Sequence, residues 1–510
     1  MKHSKMKSFL LAILCLSFTT FVSGQDKPEL KQKETAAFAE RMAAIPDGGV
    51  TGEDLAWYLN ADLGPILRNC QTGSDDWMSP AESVLNMLAN KMAVGPDGYK
   101  GFVGSYGYNR EHWCDVHVGD AILVARMLQF AMIVHDNPTL KAKYGKSAQR
   151  FIDIAKKDLI EKWEKRGTLV IDGPFAGYKE WNMYCKSGDL KNWYRNDAGR
   201  GINNPVPSLP FNKSIDMAHC MLLIYLMTGE KMYKDTAEKI YNRVKAGMNP
   251  FKGGYTWNYW EPIFPGDIYV NSRNQQDLSH WVDTHPYRNY QSGEVDYIVF
   301  AYHMGVTFTE ADIRRLVNTN LLFMWNGDKE EPKWVNSNSR LPGYRQASPS
   351  EAYPTWAGAL WSSITQFDAT LCSLANSARR NRDSNSEPAP CRESFVRKYA
   401  PNAVVQEPIW MKDIKESAGQ VEAIVIPSVV DVGESTVILS KALAPMSPVE
   451  ICVRLLNGSD VVTLATQQMG EGRQLFYVWD GKINGRRTLG EYVIIWKYMG
   501  GERAYPVTLK

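Results

Sequence analysis

Charge of one sign, metal-ligand spacing and closely paired cysteines are all scarce in this chain, and each scarcity excludes something. Lysine and arginine together number 58, against 56 aspartates and glutamates in 510 residues. That balance argues against nucleic-acid binding, whose affinity rests on a basic footprint that neutralises phosphates. The 8 cysteines include no CxxC pair, and no HExxH pattern accompanies the few histidines, so neither a zinc site nor any other metal or cofactor is expected. Past the N-terminus no apolar run is uniform enough to predict a membrane span.

The N-terminus is the exception. Lys2, Lys5 and Lys7 precede an apolar stretch from Phe9 to Phe21 and then Val22-Ser23-Gly24, the three parts of a secretory signal peptide. Residues 1–24 are therefore expected to be removed, leaving a secreted or periplasmic chain of 486 residues with 55 basic and 56 acidic side chains. Cys15 follows Leu14 where a lipid-anchor site needs a small residue. Seven cysteines remain; Cys372 with Cys391 is the pair to test for a disulfide, and Cys220 and Cys452 read as buried thiols. The length fits one large domain and a smaller one.

Three times a polar and aromatic cluster runs into a helix-length segment that is apolar on nearly every side. Asp120 to Val134, Asp216 to Met227 and Glu294 to Met304 are the enclosed segments, and each is followed by an amphipathic one: Ala148 to Glu164, Glu230 to Met248 and Thr309 to Trp325. Glu53 to Leu67 and Ser79 to Met92 are amphipathic too, with Ser79-Pro80 read as a cap and first-turn proline. Alternation of enclosed and surface helices predicts an inner and an outer ring, an (α/α) barrel or toroid, over residues 25–405. Met227-Thr228-Gly229-Glu230 and Met304-Gly305-Val306-Thr307 read as inner-to-outer turns. The return connections, Gly167 to Pro210, Asn249 to Gln291 and Asn326 to Thr355, are long and rich in aromatic and polar residues. Segments of that length carry function or small strands of their own, and all three should open on one rim.

Beyond Arg380 the texture changes. Asn381 to Cys391 is polar, and from about Gln420 alternation takes over: Val449, Ile451, Val453 and Leu455 alternate with Glu450, Cys452 and Arg454, and Asn457-Gly458 marks a hairpin. The stretch Phe476 to Gly481, then Asn484-Gly485 and Gly490-Glu491-Tyr492, resembles the closing strands of the immunoglobulin-like domain at the end of flagellar-hook capping proteins. The resemblance implies a β-sandwich accessory module within residues 406–510.

The densest chemistry lies in Gln275 to Tyr290, which holds Asp277, His280, Asp283, His285, Arg288 and Tyr290 just ahead of an enclosed helix. His280 and His285 have no third ligand nearby to make a metal site. Asp277 and Asp283 serve equally as helix caps. A second cluster, Trp334 to Tyr344, offers Arg340 and Tyr344, and Asn212 stands just before a helix start. Such groups suit β-elimination from a uronic acid: one neutralises the carboxylate, a base takes the C5 proton and an acid protonates the departing oxygen. The toroid and these residues resemble secreted polysaccharide lyases acting on alginate, glucuronan and similar uronate polymers. That resemblance implies Asn212 as carboxylate neutraliser, His280 as base or neutraliser, Arg340 as helper and Tyr344 as acid, with Arg288 and Tyr290 an equally legal pair. Trp113, His117, His219 and His285, with Trp257, Trp260 and Trp356, are expected to hold the polysaccharide substrate at the rim. His219, His280 and Tyr290 should share that rim.

Two alternatives stand beside it. A glycoside hydrolase on the same fold needs two carboxylates, for which Asp115, Asp216, Asp277, Asp283, Glu261 and Glu351 are candidates. A glycan-binding protein would use the aromatic rim without cleavage.

Overall fold

The computed structural model describes residues 73–95, 97–102, 104–106, 109–179, 182–186, 189–192, 208–251, 253–257, 259–260, 267–270, 276–278, 290–334, 353–354, 361–374 and most of 421–510, with scattered helical positions between 36 and 70. Over these the chain is mostly helical, with a C-terminal β-sheet region.

Helix α1 spans Asp75–Asn90, four residues ahead of the expected start. Ser74 is its true cap, accepting from the Asp76 N–H, and Asp75 and Asp76 meet the positive end of the helix dipole. Pro80 falls inside the helix, where it gives up one backbone hydrogen bond. Two strands, β1 (Gly104–Tyr106) and β2 (Asn109–Val116), then lead straight into α2 (His117–Asp136). This helix is long and apolar enough to cross a membrane, contrary to the sequence expectation, yet 89% of its apolar window is buried in protein. It is a core helix. Asn137 accepts from the Thr139 and Leu140 N–H groups to start α3 (Pro138–Ile154) at once. α3 continues through a π-helical turn, Ala155–Glu161, into Lys162–Lys165.

Strands β3 (Asn182–Lys186) and β4 (Asp189–Asn192) complete a four-stranded sheet in the order β1-β2-β3-β4. α4 (Phe211–Thr228) ends at Gly229, whose φ of 74° is the left-handed conformation that lets the chain turn directly into α5 (Lys231–Gly247). α6 (Tyr290–His303) passes through a similar tight turn to α7 (Glu310–Asn318), which Thr309 and Asp312 start with a reciprocal capping box.

The three enclosed helices lie side by side in the order α2, α4, α6, and α3, α5 and α7 each pack on the preceding one. The periodicities explain the layers: 16 of the 20 residues of α2 are buried, whereas α3 buries one stripe through Leu140, Tyr144, Ala148 and Phe151. Ala56, Leu59, Leu63, Ile66 and Cys70 join the same core from the N-terminal side. The long connections carry short antiparallel hairpins, among them Leu169–Asp172 with Phe175–Tyr178 and Ile268–Val270 with Gln276–Leu278.

The C-terminal region has eight main strands: β5 (Val421–Ile426), β6 (Val429–Val430), β7 (Thr436–Ala442), β8 (Ser447–Leu455), β9 (Asp460–Met469), β10 (Gln474–Trp479), β11 (Gly490–Tyr498) and β12 (Gly501–Leu509). One sheet runs β5-β7-β10 and the other β6-β12-β11-β8-β9. Val425, Ile438 and Trp479 from the first meet Ile451, Val453, Ile494 and Trp496 from the second in one core, so the alternating residues face each other across two layers. Cys372 is disulfide-bonded, to a partner outside the described residues, while Cys70, Cys220 and Cys452 are buried free thiols.

Candidate functional site

α4 begins without a side-chain cap, because Pro210 has none to offer. The Asn212 N–H in its first turn instead donates to the carboxyl of Glu294, which lies one turn into α6. Trp257 donates its indole N–H to Glu294 Oε2 at 2.5 Å, and Gln291 Nε2 fastens the Trp257 carbonyl at 3.4 Å. Two hydrogen bonds and a helix N-terminus would ordinarily favour a carboxylate. Burial outweighs them, and with Asp216 repelling from the next turn of α4, Glu294 is pushed up to about 8. Glu294 is therefore a protonated acid at neutral pH.

Asn212, Asp216 and His219 recur at i, i+4 and i+7 and share one face of α4, opposite Glu294 and Tyr297 on α6. His219 stacks on Tyr297 with ring centroids 3.9 Å apart and meets Phe300 edge-on at 4.7 Å. Burial, and secondarily the charge of Arg126 on α2, lowers His219 to about 3, so it is a neutral imidazole. Among the described residues, neither of its ring nitrogens, nor Asn212 Oδ1, nor Glu294 Oε1, has a hydrogen-bond partner, and all three residues are at most 5% exposed. Each such orphan costs about 1–3 kcal/mol. Their concentration in one seam between two inner helices makes it the candidate site.

Several other buried charges are paired across elements and hold the fold. Lys162 Nζ bonds Asp120 at 2.5 Å and Asp115 at 3.0 Å, and Arg166 bonds Asp115 at 2.8 Å and Asp97 at 2.8 Å. Lys245 pairs with Asp312 at 2.7 Å, and Ser208 binds Asp267 through its N–H and its hydroxyl.

Several expected site residues take structural places. Asp115 belongs to the Lys162 network. His117 is 2% exposed, stacked on Trp163 at 3.8 Å and hydrogen-bonded to Thr168; no face is left for a sugar. Trp257 and Trp260 are interior, 1% and 0% exposed, and Trp260 donates to the Ser208 carbonyl. They position backbone and side chains instead of presenting rings to a glycan. Asn212, Asp216 and His219 come together in the seam. Tyr290 opens α6, Asp277 lies in the strand Gln276–Leu278 and Trp113 in β2, their side chains outside the described residues. His280, Asp283, His285, Arg288, Arg340, Tyr344, Trp356, Glu261 and Glu351 also lie outside the described residues. Glu294 escaped the sequence reading as a site, although an acid in an otherwise apolar helix was the available signal.

No family model matches the chain, and no curated protein matches it. Among solved structures it is similar to a glycoside hydrolase family 76 mannosidase from Bacteroides thetaiotaomicron VPI-5482, at 11% identity and a TM-score of 0.34, over 65% of this chain and 72% of that one. A likeness of that size assigns nothing to the present chain. Nothing among these comparisons supports the uronate lyase expectation; the structure named is a hydrolase. The seam itself corrects that expectation: Asn212, read as a carboxylate neutraliser, stands beside Asp216, whose charge would repel a uronate.

Proposed function

We propose that this protein is a glycan-active hydrolase that cleaves a glycosidic bond with Glu294 as proton donor and Asp216 as the second carboxylate. The observation that carries the reading is the buried, protonated Glu294 facing Asp216 across the α4/α6 seam. Two carboxyl groups whose surroundings push them to different protonation states are what glycoside hydrolysis requires. Glu294 passes its proton to the glycosidic oxygen as the C–O bond breaks. Asp216 stabilises the positive charge that develops at the anomeric carbon and takes a proton from the water whose hydroxyl completes the sugar.

The wider reading follows the same lines. The α2, α4, α6 layer is part of an (α/α) toroid, closed by the helical segments before residue 73. Residues 1–24 direct the chain out of the cytoplasm, where a polysaccharide substrate would be met. The β-region is an immunoglobulin-like accessory module.

The test is release of reducing sugar from a panel of polysaccharides and aryl glycosides. Glu294→Gln and Asp216→Asn should each lower turnover by about 10²-fold or more while the chain still folds, as far-ultraviolet circular dichroism checks. Near-normal rates in both variants, or no release from any substrate, would remove the assignment.

A further inference from the structure

The inner helices are not sealed on every side. Ahead of their last turns, Arg126 on α2, Asp216 on α4, and Gly293, Asp296 and Tyr297 on α6 keep solvent-exposed surface among buried neighbours. Tyr297 is the informative one. Burial pushes its phenol well above the ordinary tyrosine range, with Asp216 adding to the effect and Arg126 opposing it. A residue set that deep in protein and still reached by solvent lies on the floor of a concavity, unlike the closed polar atoms of the seam. His219 stacks on one face of its ring at 3.9 Å and 14°, which fixes the ring plane, and among the described residues no second ring covers the other face.

Gly293 keeps that side open. It stands one turn before Tyr297 on the same helical face, and helical side chains lean toward the N-terminus, so Tyr297 points back toward it. Its backbone is ordinary helix, without a positive φ, so conformation does not call for a glycine, which disfavours a helix relative to alanine. Packing does not call for one either, because a β-carbon there would meet no atom within 4 Å.

We propose that Tyr297 and Gly293 form an open aromatic platform on which a neutral sugar ring stacks beside Asp216. The proposal deepens the hydrolase reading and rests on it for the choice of a glycan as ligand. The C–H face of a pyranose suits an exposed aromatic face, and its hydroxyls can donate to carboxylates and to a phenol oxygen. Asp216 and Asp296 at the edge disfavour an acidic sugar. Arg126 has its Nε on Asn60 at 2.6 Å and one terminal nitrogen on Gln129 at 2.8 Å.

Binding separates this from catalysis. The Glu294→Gln chain would be titrated calorimetrically with mannotriose, cellotriose and galactotriose, and with trigalacturonate. At least one neutral trisaccharide should bind, and trigalacturonate should bind at least about tenfold more weakly. Adding Gly293→Leu should weaken the neutral ligand about tenfold or more while the chain melts no lower, since leucine favours a helix and its first carbon meets nothing. Tyr297→Phe, which keeps the ring, should stay within about threefold of the parent, whereas Tyr297→Leu should lose about tenfold. A purely structural role for this face would move melting and leave affinity alone. No binding by any neutral trisaccharide, trigalacturonate binding as tightly, or parental affinity in Gly293→Leu or Tyr297→Leu would overturn the platform. Should Tyr297→Leu fail to fold, Gly293→Leu decides. Any of those results with hydrolysis by the wild type removes the platform alone; neutral-sugar binding with no hydrolysis of any substrate removes the enzyme reading alone.

Discussion

Glu294 ties the candidate chemistry to stability. Its carboxyl is protonated in the folded chain up to about pH 8, whereas an unfolded glutamate ionises near pH ~4.3. A raised folded value means that the stabilising contribution is complete below the unfolded value and is lost as pH climbs through the folded one. Wild type should therefore lose stability relative to Glu294→Gln between about pH 4 and pH 8, on the order of a few kcal/mol in all. Calorimetric melting of both proteins across that range checks it; a constant difference would mean that Glu294 is not held neutral. His219 works in the opposite direction. Its value is lowered to about 3, so the folded chain loses its contribution as pH falls below the ordinary histidine range.

At the scale of elements, what fixes the inner helices is buried charge and close approach. Lys162 reaches inward from the turn after the π-helical segment and meets Asp120 in α2 and Asp115 at the end of β2, with none of the three more than 1% exposed. The Phe102 N–H and the Trp163 indole satisfy the rest of Asp120. Replacing Lys162 by Met would leave two buried carboxylates short of their cation, and should cost about 3–5 kcal/mol in chemical denaturation. Lys143→Met, which breaks the solvent-exposed pair with Asp75, should barely move the same curve. A second constraint joins α4 to α5: a β-carbon on Gly247 would sit 2.5 Å from the Phe211 ring. Gly247→Ala should thus destabilise by about 1–3 kcal/mol through overpacking, and the added Phe211→Leu change should recover part of it. If Gly247→Ala melts like the parent, the start of α4 is not packed as described.

For the whole molecule the question is how independently its two regions fold. Each has its own core, one among the helices and one between the two C-terminal sheets, with Tyr505 packed against both. A chain ending at Ala400 should keep the melting transition of the helical region and lose a separate one seen in the full chain. A single shared transition, or an insoluble truncation, would show that the β-region completes the helical core. The organisation on which this rests was written locally. Helix layers follow from whether a stretch is apolar all round, as in Ala121 to Val134, or on one stripe, as in α3, and the β-region from period-two alternation such as Val449 to Val453. Both are properties of neighbours in the chain, so the sequence determined them. What met what was decided only in three dimensions. Glu294 lies 82 positions from Asn212, yet takes the place of the cap that Pro210 cannot supply; Trp257 looks like a sugar platform until burial turns its N–H onto that same carboxyl. Burial and pairing are interactions between distant segments, and they set the protonation of an acid and the role of an indole that no local pattern records.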